Sequence, residues 1–292
     1  MIDKHAYMIL CHTNFEQLIL LLKLLDYENN DIYIHIDKKV TKYPYEKIKN
    51  AVSKSRLFFS KRINVNWGGY SQIRAELILL KMATKTNHSY YHLISGACLP
   101  LHSQEYIHDF FRKNQGKEFI RAENISDVEN RFLNFRLKTY HFFQEKIGRN
   151  QDDKDHWYYS ADRRLQKIQR LIGVNRIQER LGYYFGDQWF SITENLAKFI
   201  IEYEKKIRKY MKYSICVDEI FIQTLAMMSP YKNNIVGNCG RLIDWNRGKP
   251  YIFREADFSM LINSNKAFAR KFDINVDAKI INMLSEYIVN QK

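Results

Sequence analysis

Along the first hundred residues, short unbroken apolar runs alternate with longer stretches that are apolar on one face only. Residues 6–11 (AYMILC), 31–37 (DIYIHID), 57–67 and 90–95 (YYHLIS) have the length and the β-branched and aromatic content of buried strands. Between them, residues 15–25, 45–53 and 71–84 carry the three-to-four spacing of amphipathic helices. Thr13 and Glu16 have the spacing of a capping box for the first helix, and Gly68-Gly69 closes the third strand. This β-α-β-α-β-α-β series predicts a mostly parallel sheet covered by helices. Ligands of such sheets bind beyond the carboxyl ends of the strands, which points to His12, Asp37, Trp67 and the Ser95-Gly96 turn.

The middle of the chain, residues 121–181, is polar, charged and helical in tendency, and reads as an insertion that shapes a partner site. A strand returns at 188–192, followed by helices at 195–210, 219–227 and 276–290. A chain of 292 residues with 11 Gly and 4 Pro has little linker material, so residues 1–292 read as a single α/β domain. Its parts are a strand-rich first part (1–120), the insertion (121–181) and a last part (182–292). No Gly-x-Gly-x-x-Gly follows the first strand and no Gly-Lys-Ser/Thr occurs, which argues against dinucleotide and P-loop sites. The four cysteines, Cys11, Cys98, Cys216 and Cys239, form no Cys-x-x-Cys pair and read as buried thiols. The longest apolar stretch, 18–25, is interrupted by Lys23 and is too short to span a bilayer. With no signal-peptide pattern at the start, the expectation is a cytoplasmic protein, at most peripheral to the inner face of a membrane.

Charge narrows the partners. Lys and Arg number 46 against 32 Asp and Glu, a net charge of +14. Such an excess attracts anions at long range: nucleic acid, an anionic membrane surface or a phosphorylated small molecule. The basic residues are dispersed, with no arginine-rich tail and no zinc-ligand spacing, so nucleic acid ranks low.

Several segments, in order, carry a resemblance. They are residues 6–12 (AYMILCH), 35–37 (HID), 65–71 (VNWGGYS), 91–96 (YHLISG) with Leu99-Pro100, 186–190 (GDQWF), 218–224 (DEIFIQT), 241–245 (RLIDW) and 268–273 (FARKFD). Each is short; together, spread from residue 6 to residue 273, they resemble the core-2/I-branching N-acetylglucosaminyltransferase and peptide O-xylosyltransferase family (glycosyltransferase family 14-like). Residues 121–181 match least. The resemblance implies a GT-A-like fold, with residues 1–120 as the nucleotide-sugar-binding half and 182–292 as the acceptor and catalytic half, and an inverting glycosyltransferase that needs no divalent metal and no other cofactor. It also implies a UDP-sugar donor and a hydroxyl acceptor on a glycan or lipid-linked saccharide. The expected donor is UDP-N-acetylglucosamine, with UDP-xylose or UDP-galactose as the alternatives.

Inverting transfer needs a base for the acceptor hydroxyl and charge to meet the departing diphosphate. The resemblance makes Glu219 the base. On physical grounds alone, Asp218-Glu219 before an apolar helix is equally a helix start whose acids complement the dipole; Asp218 is the cap or an orienting neighbour. The resemblance places the leaving-group cation on Lys271 with Arg270 beside it, and a second arginine upstream, Arg254 or in reserve Arg241. Asp37 reads either as a ribose or base contact or as a turn residue. Asp187, Trp189, Asp218 and Trp245 are the expected acceptor contacts, although core packing explains either tryptophan as well. The family often has Asp where Cys98 stands, which bears on the choice of donor. The one Asp-x-Asp, Asp153-Lys154-Asp155, follows no strand and reads as a solvated loop rather than a metal site.

Overall fold

In the computed structural model, residues 3–125, 130–148, 157–178, 180–248 and 250–291 are described, residues 130–133 by their backbone alone. Asp153-Lys154-Asp155 lies outside the described residues. The chain runs β1 (His5–Cys11), α1 (Phe15–Leu25), β2 (Asn30–Ile36), α2 (Tyr45–Lys49), β3 (Arg56–Phe59), α3 (Ser71–Ala83), β4 (Tyr90–Ser95), β5 (Cys98–Pro100) and α4 (Gln104–Lys113). The insertion contributes β6 (Glu123–Asn124), α5 (Asn130–Leu137), α6 (Gln144–Ile147) and α7 (Trp157–Leu171). Then come β7 (Tyr184–Phe185), β8 (Phe190–Thr193), α8 (Glu194–Met211), α9 (Phe221–Met228), β9 (Arg241–Ile243), α10 (Phe258–Ile262), β10 (Phe268–Arg270) and α11 (Ala278–Val289).

The main sheet has the order β3-β2-β1-β4-β8, parallel except for β8, which runs antiparallel to β4. Strand side chains alternate between faces, and both faces are covered, which is why the strands read as unbroken apolar runs. Tyr7 and Ile9 of β1 face a core shared with α1, α4 and α11, whereas Ala6 and Met8 face one shared with α3, α8 and α9. The architecture is therefore the predicted mostly parallel α/β sheet flanked by helices. A second sheet, β5-β10-β9, crosses the expected halves of the chain, because β10 pairs antiparallel with β5 and parallel with β9.

Four local expectations are corrected. The third strand ends at Phe59, not 67: residues 60–66 turn away from the sheet, with Arg62 bonding the carbonyls of Ile36 and Asp37. Thr13 and Glu16 form no capping box. The helix starts after Asn14, in the left-handed region at φ 53°, whose side chain reaches Asp273 instead. The helix predicted from Glu219 is a 3-10 turn, Val217–Glu219, followed by α9. The insertion is not free of strands either: β6 pairs with β7, tying residues 123–124 to 184–185.

Candidate functional site

Glu219 ends the 3-10 turn with its side chain 30% exposed, and its Oε2 accepts from Arg136 Nη1 at 2.7 Å. Three backbone anchors hold this turn. The Cys216 N–H donates to the Gly68 carbonyl at 2.9 Å, the Arg136 guanidinium also reaches the Cys216 carbonyl at 2.8 Å, and Gly186 N–H donates to the Glu219 carbonyl at 2.9 Å. Gly68 sits at φ +69°, which suits a residue without Cβ. Asp218, expected as an acceptor contact, is turned inward and buried. Its Oδ2 accepts from Gln72 Nε2 at 2.9 Å and its Oδ1 has no partner. Burial, then the neighbouring Glu219 charge, raises the Asp218 pKa to about 7. One turn further along α3, burial pushes the Glu76 carboxyl well above its usual range, against a hydrogen bond from Gln188 at 2.6 Å. Asp218 thus packs behind the Glu219 turn rather than facing outward.

The other end of the site lies beyond the carboxyl ends of β1, β2 and β4. Arg270 of β10 donates to Ser95 Oγ, and its guanidinium lies 4.5 Å over the Trp189 ring, which is buried. Trp189, expected on the acceptor side, therefore stands with Ser95 and Arg270, the residues expected on the donor side. His12 stands on the open rim. Desolvation lowers its pKa, Asp37 opposes this, and Lys271, Lys39 and Arg270 lower it further, so these five side chains share one electrostatic neighbourhood. Asp37 holds its own turn: Oδ1 accepts from the Lys39 N–H at 2.9 Å, and Oδ2 pairs with Lys39 Nζ at 3.6 Å. Gly96 lets the backbone close on β1, since a Cβ there would meet Cys11 Sγ at 3.2 Å. The segment 186–190 joins the two ends. Gly186 is bonded to Glu219, and Trp189 lies three residues on, at most about 10 Å of backbone away. Trp67 is 43% exposed on the loop between the ends, where Lys39 Nζ bonds the Val65 carbonyl at 2.6 Å.

The upstream arginines stand elsewhere. Arg241 is wholly enclosed, donating to Ser191 Oγ at 2.9 Å and to the carbonyls of Leu93, Phe190 and Cys239, so it clamps strands and reaches no ligand. Arg254 is exposed beside Glu255 and Asp277, along a hollow with Phe258 and Met283. Trp245, 51% exposed, lines a separate hollow of about 290 Å³ with Asp244, Phe253 and Met260. Asp187 lies near Arg121, at 3.9 Å, on the Gly186 segment. Arg136, Gln72 and Glu76 lie outside the resembling segments, and Gln188, within 186–190, carries no role in the resemblance; a further sequence signal is that Gln72 and Glu76 are four apart on a helix that starts at the Gly-Gly turn.

Among the described residues, one His and carboxylate group could approach an ion, Asp3, His5 and His108, with ligand atoms within 4.8 Å of one another. The His5 and His108 rings stack 3.8 Å apart at 12°, so their in-plane lone pairs run parallel and do not converge. The group also lies at the start of β1, at the opposite end of the sheet from His12.

Residues 5–260 match the model of the family described as Core-2/I-Branching enzyme. That match includes Glu219 and ends before Arg270 and Lys271. Xylosyltransferase 2 of Rattus norvegicus is 23% identical over 314 residues, 97% of this chain and 33% of that protein. Xylosyltransferase of Ciona intestinalis is 21% identical over 304 residues, 96% of this chain and 33% of that protein. The chain thus spans about a third of the length of these curated relatives. A crystal structure of mouse Xyloside xylosyltransferase 1 in its apo form aligns over 91% of this chain and 96% of that one, with a TM-score of 0.39 and 9% identity. The family match, running from β1 into α10 and taking in the turn that carries Glu219, settles the family: the chain belongs to the Core-2/I-Branching enzymes, a family of glycosyltransferases.

Proposed function

We propose that this chain transfers a sugar from a UDP-sugar to an acceptor hydroxyl with inversion, without a divalent metal, and that Glu219 is the base. Glu219 takes the acceptor proton as the acceptor oxygen bonds to the anomeric carbon. The bond from that carbon to the phosphate oxygen breaks, and its electron pair leaves with UDP. Lys271 and Arg270 meet the charge that develops on the diphosphate. The observation that carries the reading is a half-open carboxylate oriented by Arg136 and anchored through Gly186 to the segment that leads to Trp189 and Arg270. An oriented base within reach of a fixed cationic wall is what in-line displacement needs.

For the donor, the relatives' name, xylosyltransferase, favours UDP-xylose over the N-acetylglucosamine donor expected from the sequence. The family description, with its branching enzymes, keeps UDP-N-acetylglucosamine as the second reading. The acceptor in this reading is a glycan or a lipid-linked saccharide, met at an anionic membrane face on the cytoplasmic side.

Glu219→Gln tests the mechanism, because it keeps size and hydrogen bonding and removes the base. UDP and UDP-sugar should still raise the melting temperature as for wild type, while UDP release falls by about two orders of magnitude or more. Unchanged turnover would remove Glu219 from the role.

A further inference from the structure

Helix α7 is built inside out. Its inward face is polar: Asp162 and Gln169 are buried, Gln169 accepts from the Tyr140 N–H at 2.7 Å and donates to the Tyr140 carbonyl at 3.0 Å, and Gln166 donates to His141 Nδ1 at 3.0 Å. Its outward face carries the large apolar side chains. Trp157 is 60% exposed, Ile168 51% and Leu171 78%, and Ile172 just past the helix end is 71% exposed. At about 100° per residue, these positions and Ala161 fall in one stripe roughly 100° wide. A helix that served only to pack on its own protein would place these residues the other way round.

Charge identifies what covers the stripe. Arg164 lies within it, where a long side chain can lay its stem on apolar surface and raise its head toward anions. Lys167 and then Arg163 flank it on one side, with Arg170 further round the helix, all exposed. The helix's one acid, Asp162, is turned inward. An apolar centre with a tryptophan at one end, a cationic border and no outward acid is the pattern of a helix lying in an anionic lipid–water interface. A nucleic acid would meet the cations and leave Leu171 and Ile172 against phosphates. Near Tyr140, which α7 holds, Phe142 and Tyr213, the latter just past α8, add an exposed aromatic pair, 48% and 41% open, with ring centroids 5.4 Å apart.

We infer that the outward face of α7 docks into the headgroup region of an anionic bilayer. α7 packs on α6, whose Gln144 donates to the Trp67 carbonyl at 3.0 Å, so the helix is tied to the loop that carries Trp67. The inference rests on the membrane part of the proposed function and is independent of its transfer chemistry.

Sedimentation of the full chain with vesicles tests it. The protein should pellet with phosphatidylcholine vesicles containing phosphatidylglycerol and stay soluble with phosphatidylcholine alone, at about 0.1 M salt, where screening acts over about 10 Å. Leu171→Ser with Ile172→Ser should lower partitioning at least about tenfold, and Arg163→Glu with Lys167→Glu should abolish it. All four side chains are exposed, so both variants should melt as wild type does. Failure to pellet with the anionic vesicles overturns the inference. So does a double serine variant that binds like wild type, because charge alone would then explain the attachment. Vesicle binding without any UDP-sugar turnover would sink the transfer reading and leave this one standing.

Discussion

Replacing Gly186 with alanine would put a methyl carbon 1.8 Å from the Arg121 carbonyl oxygen and 2.6 Å from its carbonyl carbon. Both are backbone atoms, so neither can swing aside as a side-chain tip would. Ordinary carbon–oxygen contact lies beyond 3 Å, and the two segments must part by more than about 1 Å. They are not free to do so. Gly186 N–H is bonded to the Glu219 carbonyl, and the next residues back, Tyr184–Phe185, pair with Glu123–Asn124. Separation therefore drags the Glu219 turn or opens β6 from β7. Overpacking of this kind costs about 1–3 kcal/mol, and losing the hydrogen bond adds about 1 kcal/mol. At roughly 2 °C per kcal/mol, thermal melts should show a fall of several degrees. If Glu219 is the base as proposed, its misplacement by about 1 Å should cost on the order of 100-fold in turnover, with UDP binding retained if Arg270 and Lys271 hold the diphosphate as proposed. UDP release from the donor and UDP titration, run on wild type and variant, read the two effects separately. A Gly186→Ala protein that melts and turns over like wild type would refute the claim that this contact positions the base.

Three further outcomes follow from the geometry. Because the Asp218 pKa rises from 3.8 to about 7 on folding, the folded state keeps a proton that the unfolded chain has released. That stability is complete at acid pH and is lost as pH rises through about 7. Asp218→Asn should flatten the decline in urea melts between roughly pH 5 and 8, leaving the shares due to Glu118, also raised to about 7 by burial, and to Glu76, which burial raises well above its usual range; an unaltered slope would count against the assignment. Arg241→Met should destabilise by about 3–5 kcal/mol, since it strands acceptors at Ser191, Leu93, Phe190 and Cys239, yet leave UDP affinity unchanged. Loss of affinity without loss of stability would return Arg241 to the ligand. Sugar transfer should survive EDTA, and its abolition with rescue by manganese would overturn the metal-free proposal.

The parts legible in the sequence are those governed by local pattern. The strands ending at Cys11, Ile36 and Ser95 declare themselves as apolar runs, and the rule that ligands meet strand ends leads to His12, Asp37 and Ser95 without any knowledge of the fold. What stayed hidden depends on partners distant in the chain. Residues 60–66 pass for strand because they continue the apolar run 57–59 and set Ile63 and Val65 in alternation with polar residues, yet Arg62 caps the carbonyls of Ile36 and Asp37 and draws them off the sheet. Arg241 and Arg270 are equivalent as letters: one is sealed by strand carbonyls and the other lies over Trp189. Arg136 sits in the part of the chain with the weakest resemblance, and only the return of that segment to Cys216 brings it to Glu219.

The net charge of +14 gains meaning once it is divided by place. Arg270 and Lys271 sit with His12 and Asp37 at the strand ends, and Arg270 is further held by Ser95 and Trp189. Cations fixed in this way act on a ligand at close range, where salt screens little. The arginines and lysine of α7 stand in open solvent around exposed apolar side chains and can hold a charged surface only within a screening length. Under the proposed function and the inferred docking, one excess of charge would serve two anions of different kinds. A small diphosphate would be gripped in a way that tolerates salt, and an extended surface would be met in a way that salt reverses. Neither composition nor net charge could separate these, because the distinction lies in what surrounds each cation.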